Sequence, residues 1–378
     1  MHEEVHLVKA AAFLNLVRLA SSPIGPTITG ILCVVTTLLC SEPRDPFFGL
    51  LGLLKASKLG RVLSVDLVPD YTKSIVDVYC DATRACFQNH NDVWALEWFG
   101  YEPNPDNIIE GLPTWVPNWY DSEGSKYTPH RAINFPRHTS IWVGEAREVP
   151  LFPIPSIGRV LKIAGVSLET ILRQSDFVVT PTDFSREAQD MFLSGARDLL
   201  PNCHSSSRTG SDHERLNYIL SAGCQGVDVY QLWDDVISLA FPPANEKLRH
   251  SDSRDLQPPR QAHLDPGADE LADYSPAMKR VLNEKLVSFC KAAISCQNRK
   301  CFITRSGRLG MGPRTLQQGD VIAVSPFSQW PIVLRRAEHF GDDHYTMLGA
   351  AFVEGVTSGK EVFAKAARGT GIGTIHLV

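Results

Sequence analysis

An α+β chain is predicted, with helical N-terminal and central regions and a small antiparallel β-sheet or barrel formed largely by the C-terminal part. Three features lead there. Apolar residues recur at three-and-four spacing in several segments up to residue 294. Beyond that point the chain turns to short β-prone runs divided by Gly, Pro and Asp. Between the two, Pro242 to Asp273 is rich in Pro, Asp and Arg and poor in large apolar residues. Burial could hardly offset its ordering entropy, so a flexible loop is expected over 242–274.

Taken in order, Glu3 to Ala20 spaces Val5, Val8, Ala12, Leu16 and Leu19 as an amphipathic helix. Ile24 to Cys40 is uncharged but diluted by Pro26, Gly30 and threonines, and reads as a buried helix ahead of a membrane span. Tyr71 to Gln88 is a second amphipathic helix through Ile75, Val78, Tyr79, Ala82 and Cys86, with Asp70 or Thr72 placed to cap it. Gly100 to Pro117 is a Pro- and Gly-rich loop. A strand is expected over Arg159 to Leu168, then helices over Ser185 to Leu200, Glu214 to Ala222, Val227 to Phe241 and Ser275 to Ile294. In the C-terminal part Gly307, Gly310, Gly312 and Gly319 are assigned to positive-φ or close-approach positions. Gly319-Asp320 is a turn into a strand at Val321 to Val324. The organisation is therefore a helical region (1–150), short strands followed by helices (151–241), the loop (242–274), and a helix with a small sheet or barrel (275–378).

Composition narrows the function classes. A net charge of −5, from 37 basic and 42 acidic residues, provides no basic footprint for a phosphate backbone, so nucleic acid is not expected as a partner. The nine cysteines lack a CxxC pair and sit mostly in apolar segments such as those of Cys33, Cys40, Cys80, Cys86 and Cys290. Reduced, buried thiols in a cytoplasmic protein follow. The N-terminal MHEEVHLVKAAAF has glutamates where a secretory signal would carry basic residues, so neither export nor a membrane partner is expected.

The stretch SEPRDPFFGLLGLL (Ser41 to Leu54) sets a proline-bracketed charge pair against an apolar run. Pro43 and Pro46 end one helix, Arg44 presents a planar donor fork to carbonyls at helix C-termini, and Asp45 caps the next helix. This makes a polar clasp, with direct ligand contact by Arg44 as the competing reading. Phe47, Phe48, Leu50, Leu51, Leu53 and Leu54 are expected to be buried on nearly all sides, with Gly49 and Gly52 allowing close approach. In LPTWVPNWYD, Trp115 and Trp119 either anchor a long loop to the core or form an aromatic recognition surface, the first being the expectation.

Other motifs carry less. HEEVH (His2 to His6) fits the H-E-x-x-H zinc pattern, but no strand or rigid turn precedes it, and it reads as an ordinary solvent-facing helix start. GTGIGT (Gly369 to Thr374) has no helix after it and reads as a flexible tail. Ser205 to Ser207 beside His204 and Asp212 lack a nucleophile elbow, and Cys203-His204 and Cys296…Cys301 lack paired zinc spacing. No metal, cofactor or catalytic residue is assigned.

The order of SEPRDPFFGLLGLL, PDYTKSIVDVYCDATRA, GLPTWVPNW and the Gly-rich CFITRSGRLGMGP…GDVIAV…PIVLRR…YTMLGAAFVEGV resembles the later part of the fungal heterokaryon-incompatibility (HET) domain family. Blocks with which members of that family begin, an aromatic-Val/Thr-Trp-Gly turn, Asp-x-x-Cys-Ile-Asn-Gln and Arg-x-Trp-x-x-Gln-Glu, do not occur, so the chain looks like a member lacking its N-terminal α/β half. The resemblance implies a signalling or interaction protein of self/non-self recognition and programmed cell death, with a protein partner or self-association. Its motifs nominate Arg44, Asp45, Gly49, Leu51, Gly52, Asp70, Tyr71, Trp115, Trp119, Gly310, Gly312, Gly319 and Asp320 as structural or interaction residues. The alternative it implies is a TIR-like nucleotide-cleaving enzyme, incomplete without the missing half.

Overall fold

One long strand, β1 (Leu161–Gln174), organises the molecule because it belongs to two sheets. The computed structural model describes residues 40–56, 68–88, 96, 109–119, 158–176, 178, 186–200, 211–221, 299–325, 328, 330–341, 343–356 and 373–378. The helices expected over 3–20, 24–40, 227–241 and 275–294, the HEEVH motif, the serine cluster at 205–207 and the loop over 242–273 lie outside or almost wholly outside them.

Antiparallel pairing joins β1 to β4 (Val321–Val324), β4 to β5 (Ile332–Arg336) and β5 to β6 (His344–Ala350). The strand β8 (Gly373–Leu377) then pairs antiparallel with β1 and parallel with β6, closing a five-strand barrel. The closing seam is short, His344 opposite His376 and Tyr345 opposite Leu377, and it is a parallel exception to the antiparallel sheet expected. It also corrects the reading of GTGIGT as a tail: Gly373 and Thr374 open β8, opposite Gly165 and Ala164.

The far end of β1 pairs instead with β2 (Arg299–Thr304), which continues through β3 (Leu309–Pro313) to β7 (Phe352–Val353). Bulges between Ser167 and Glu169 and between Ile171 and Arg173 allow this change of partner, since an extra residue bends and twists a strand locally. The strand expected over 159–168 is accordingly longer than its apolar pattern, because Glu169, Arg173 and Gln174 find partners that only the fold provides. In β4, Val321 and Ala323 belong to one core cluster while Ile322 and Val324 belong to another. This two-sided burial is why the run VIAV does not alternate with polar residues.

The first of those clusters joins the barrel to two helices, α1 (Asp45–Ala56) and α2 (Ile75–Gln88), through Phe47, Phe48 and Leu51 from α1 and Val76, Tyr79 and Ala82 from α2. The helix α2 starts later than expected and its cap is neither Asp70 nor Thr72: Ser74 Oγ accepts from Asp77 N–H at 3.1 Å. Asp70 instead holds the preceding turn, accepting from the Thr72 N–H and hydroxyl at 2.9 and 2.6 Å. Between β1 and β2 stand α3 (Arg186–Arg197) and α4 (Asp212–Leu220). The latter carries a capping box, Ser211 and Glu214 each bonding the other's backbone N–H.

Candidate functional site

The turn entering α1 and the turn entering α2 meet through Arg44. Its Nη1 donates to the Tyr71 and Lys73 carbonyls at 2.6 and 2.9 Å, and its Nε donates to Glu42 Oε1 at 2.6 Å. The guanidinium carbon sits 5.6 Å from the Tyr71 ring centroid. Tyr71 in turn donates its hydroxyl to Asp45 Oδ1 at 2.7 Å, and Tyr79 donates to the Pro43 carbonyl at 2.6 Å. The carbonyls Arg44 reaches lie in the turn before α2, not at a helix C-terminus. Asp45 is occupied by Tyr71, while Arg44 O accepts the first α1 N–H groups, from Phe47 and Phe48.

Charge and hydrogen bonding shift the groups of this clasp together. The bond from Arg44 holds the Glu42 carboxyl below its ordinary range, and the same bond raises Arg44. Donation to Asp45 raises the Tyr71 phenol, and the Thr72 hydroxyl lowers Asp70. The sequence reading passed over Glu42, although it stands two residues before Arg44. Phe47, Phe48 and Leu51 are buried, whereas Gly49 is exposed with open space where a Cβ would stand, so no close approach requires it. Gly52 lies in α1, and its surroundings are outside the described residues.

Around the LPTW loop both tryptophans are buried. Trp115 donates Nε1 to the Arg159 carbonyl at 3.0 Å, and Trp119 donates to Thr83 Oγ1 at 3.2 Å. Thr114 bonds the Val378 carbonyl through N–H and hydroxyl, at 3.2 and 2.7 Å, and its Oγ1 accepts from Met347 N–H at 2.9 Å. The loop thus locks β8 and β6 at the closing seam and presents neither indole to solvent.

The Gly-rich C-terminal segment divides by function. Gly307 and Gly319 have φ of 82° and 95°, which tight turns demand. A Cβ on Gly310 would strike the Phe302 ring, and one on Gly312 would stand 2.8 Å from Leu316. Asp320, 3% exposed, takes both Nε and Nη2 of Arg335 at 2.9 Å and accepts from Gln317 N–H at 2.7 Å. Two further ion pairs tie the sheets and the inserted helices: Arg308 with Glu169 at 2.7 Å and Arg215 with Glu354 at 2.9 Å.

These arrangements position backbone and exclude water. Among the described residues no group of three or more His, Cys, Asp or Glu is placed to hold a metal ion, and no helix is long and apolar enough to cross a membrane. Burial pushes the Cys80 thiol up to about 11, which keeps it protonated and unreactive. Cys40 is only partly buried, and its thiol is raised first by desolvation.

Residues 265–369 match the Het-6 beta-barrel domain, a range that contains β2 to β7. The chain is also 24% identical over 364 residues to heterokaryon incompatibility protein 6, OR allele, of Neurospora crassa. That alignment covers 86% of this chain and 50% of the relative, so the chain spans about half the length of the curated protein it matches. No solved structure matches. The chain is thus similar to a heterokaryon incompatibility protein over most of its length and to the Het-6 beta-barrel domain over its C-terminal part, where the Gly-rich motifs read from the sequence lie.

Proposed function

We propose that the chain acts in fungal self/non-self recognition as a signalling or interaction protein in programmed cell death, through a protein partner or self-association, and not as an autonomous enzyme. The observation that carries this reading is the similarity to a heterokaryon incompatibility protein over 86% of the chain, reinforced by the match over β2 to β7. A surface suited to a partner lies beside the Arg44 clasp, where Val68 and Tyr71 are 67% and 53% exposed. Large apolar and aromatic side chains held by rigid neighbours make good anchors, because little side-chain entropy is lost on binding.

Inducible expression in fungal strains of different incompatibility backgrounds tests the proposal, with hyphal death scored by a vital dye and tagged copies precipitated for bound protein. Death in some backgrounds and not others is expected, together with a co-precipitating partner lost in Val68→Glu at unchanged melting temperature. Equal viability in every background, with no co-precipitating protein, would sink the reading.

A further inference from the structure

The helix α2 carries a guanidinium whose best binding edge is unused. Arg84 is 14% exposed in its side chain, donates Nη1 to Asp81 at 3.0 Å and lies 5.5 Å from the centroid of Trp115. Those contacts fix the plane of the group on one face and at one nitrogen. Nε and Nη2 are both shielded from solvent and have no hydrogen-bond partner among the described residues. In arginine the N–H bonds of this nitrogen pair run side by side along one edge, the geometry that meets two oxygens of one carboxylate or phosphate. Buried donors are seldom left unpaired, and two on one group call for an explanation.

We propose that Arg84 is an oxyanion-binding residue, taking a carboxylate or phosphate group on its Nε and Nη2 edge above the LPTW loop. The anion breaks no hydrogen bond to a described residue there, because those nitrogens make none. A second cation, Arg159, acts with Arg84 on the neighbouring Cys80, where Asp77 and Asp81 oppose them. Arg159 is itself held in place, donating Nη1 to Gly111 O at 3.3 Å. Trp115 offers its ring to the guanidinium and its indole N–H to the Arg159 carbonyl, so the cation and its neighbourhood are set before any anion arrives.

The test uses the full chain at constant ionic strength, titrated with inorganic phosphate, with acetate and with chloride as the reference, and read by thermal melting and calorimetry. A saturable rise in melting temperature with phosphate or acetate, beyond that with chloride, is expected. Response to phosphate alone assigns a phosphate ligand, and response to acetate as well assigns a carboxylate. Arg84→Lys keeps the charge but lacks the fork, so its half-saturation should move up by about tenfold or more. Arg84→Gln, which removes the charge, should abolish the response and serves if the Lys variant fails to fold. An identical titration in the variant that folds, or no saturable effect in the wild type, overturns the proposal.

Discussion

Replacing Glu354 should show how much of the molecule's stability depends on one buried charge pair. The Glu354 side chain is 1% exposed and that of Arg215 10% exposed, and they meet at two points, Nη2 to Oε2 at 2.9 Å and Nε to Oε1 at 3.3 Å. The pair links α4, inserted between β1 and β2, to the turn after β7. The Glu354 backbone is independently held, its N–H by Leu309 O at 2.9 Å and its carbonyl by Arg308 Nη1 at 3.1 Å, so Glu354→Gln removes charge without moving the chain. Removing one partner of a buried pair costs about 3–5 kcal/mol, because the other charge is left desolvated. Arg215 has further interactions, which favours the lower end, about 3 kcal/mol. Against a usual margin of about 5–15 kcal/mol this is large, and it corresponds to a melting shift on the order of 10 °C. Urea unfolding followed by circular dichroism measures it. The double variant Arg215→Met/Glu354→Leu should lose less than either single variant, since two apolar side chains carry no desolvated charge. Single variants within about 0.5 kcal/mol of wild type, or losses that simply add in the double variant, would refute the reasoning.

Arg44→Ala should lower the melting temperature, and Arg44→Lys should restore only part of the loss. An ammonium cannot reach the Glu42 carboxylate and the Tyr71 and Lys73 carbonyls in one plane, so full rescue by Lys would count against the clasp. Gly310→Ala should cost about 1–3 kcal/mol in denaturant midpoint through its clash with the Phe302 ring, and a neutral result would mean that ring has room to move. Stability should also fall on acidification at the closing seam. Burial, with His344 4.8 Å away by ring centroid and Lys162 on the adjacent strand, holds His376 below its ordinary 6.5, while Asp343 acts in the opposite direction. The unfolded chain therefore takes up this proton first, so stability is constant above about pH 6.5 and declines as pH drops through the folded value. His376→Gln should flatten that decline below about pH 6.5 in urea titrations, and an unchanged slope would rule out the seam as its source.

Local features were legible in the sequence wherever the nearest neighbours along the chain decide the conformation. The periodicity of Tyr71 to Gln88 revealed α2, the run VIAV revealed β4, and Gly319-Asp320 marked the turn before it, since helix faces, strand burial and positive φ are short-range demands. Ser211 and Glu214, at capping-box spacing, were equally readable and would have placed the start of α4. What stayed hidden depends on partners far along the chain. Glycine-rich GTGIGT reads as a tail until Ala164 and Gly165 stand opposite its last residues, about two hundred positions earlier in the sequence. Likewise Arg84 is one of three charged residues on α2, within reach of Asp81 on the same helix, and only the approach of the distant Trp115 fixes its plane and leaves one edge bare among the described residues. Sequence determined which residues seek burial or a turn, because transfer energies and backbone sterics act residue by residue. Tertiary structure decided which polar groups would share that burial, because hydrogen bonds and charge pairs need a partner at about 3 Å and pattern alone does not specify one.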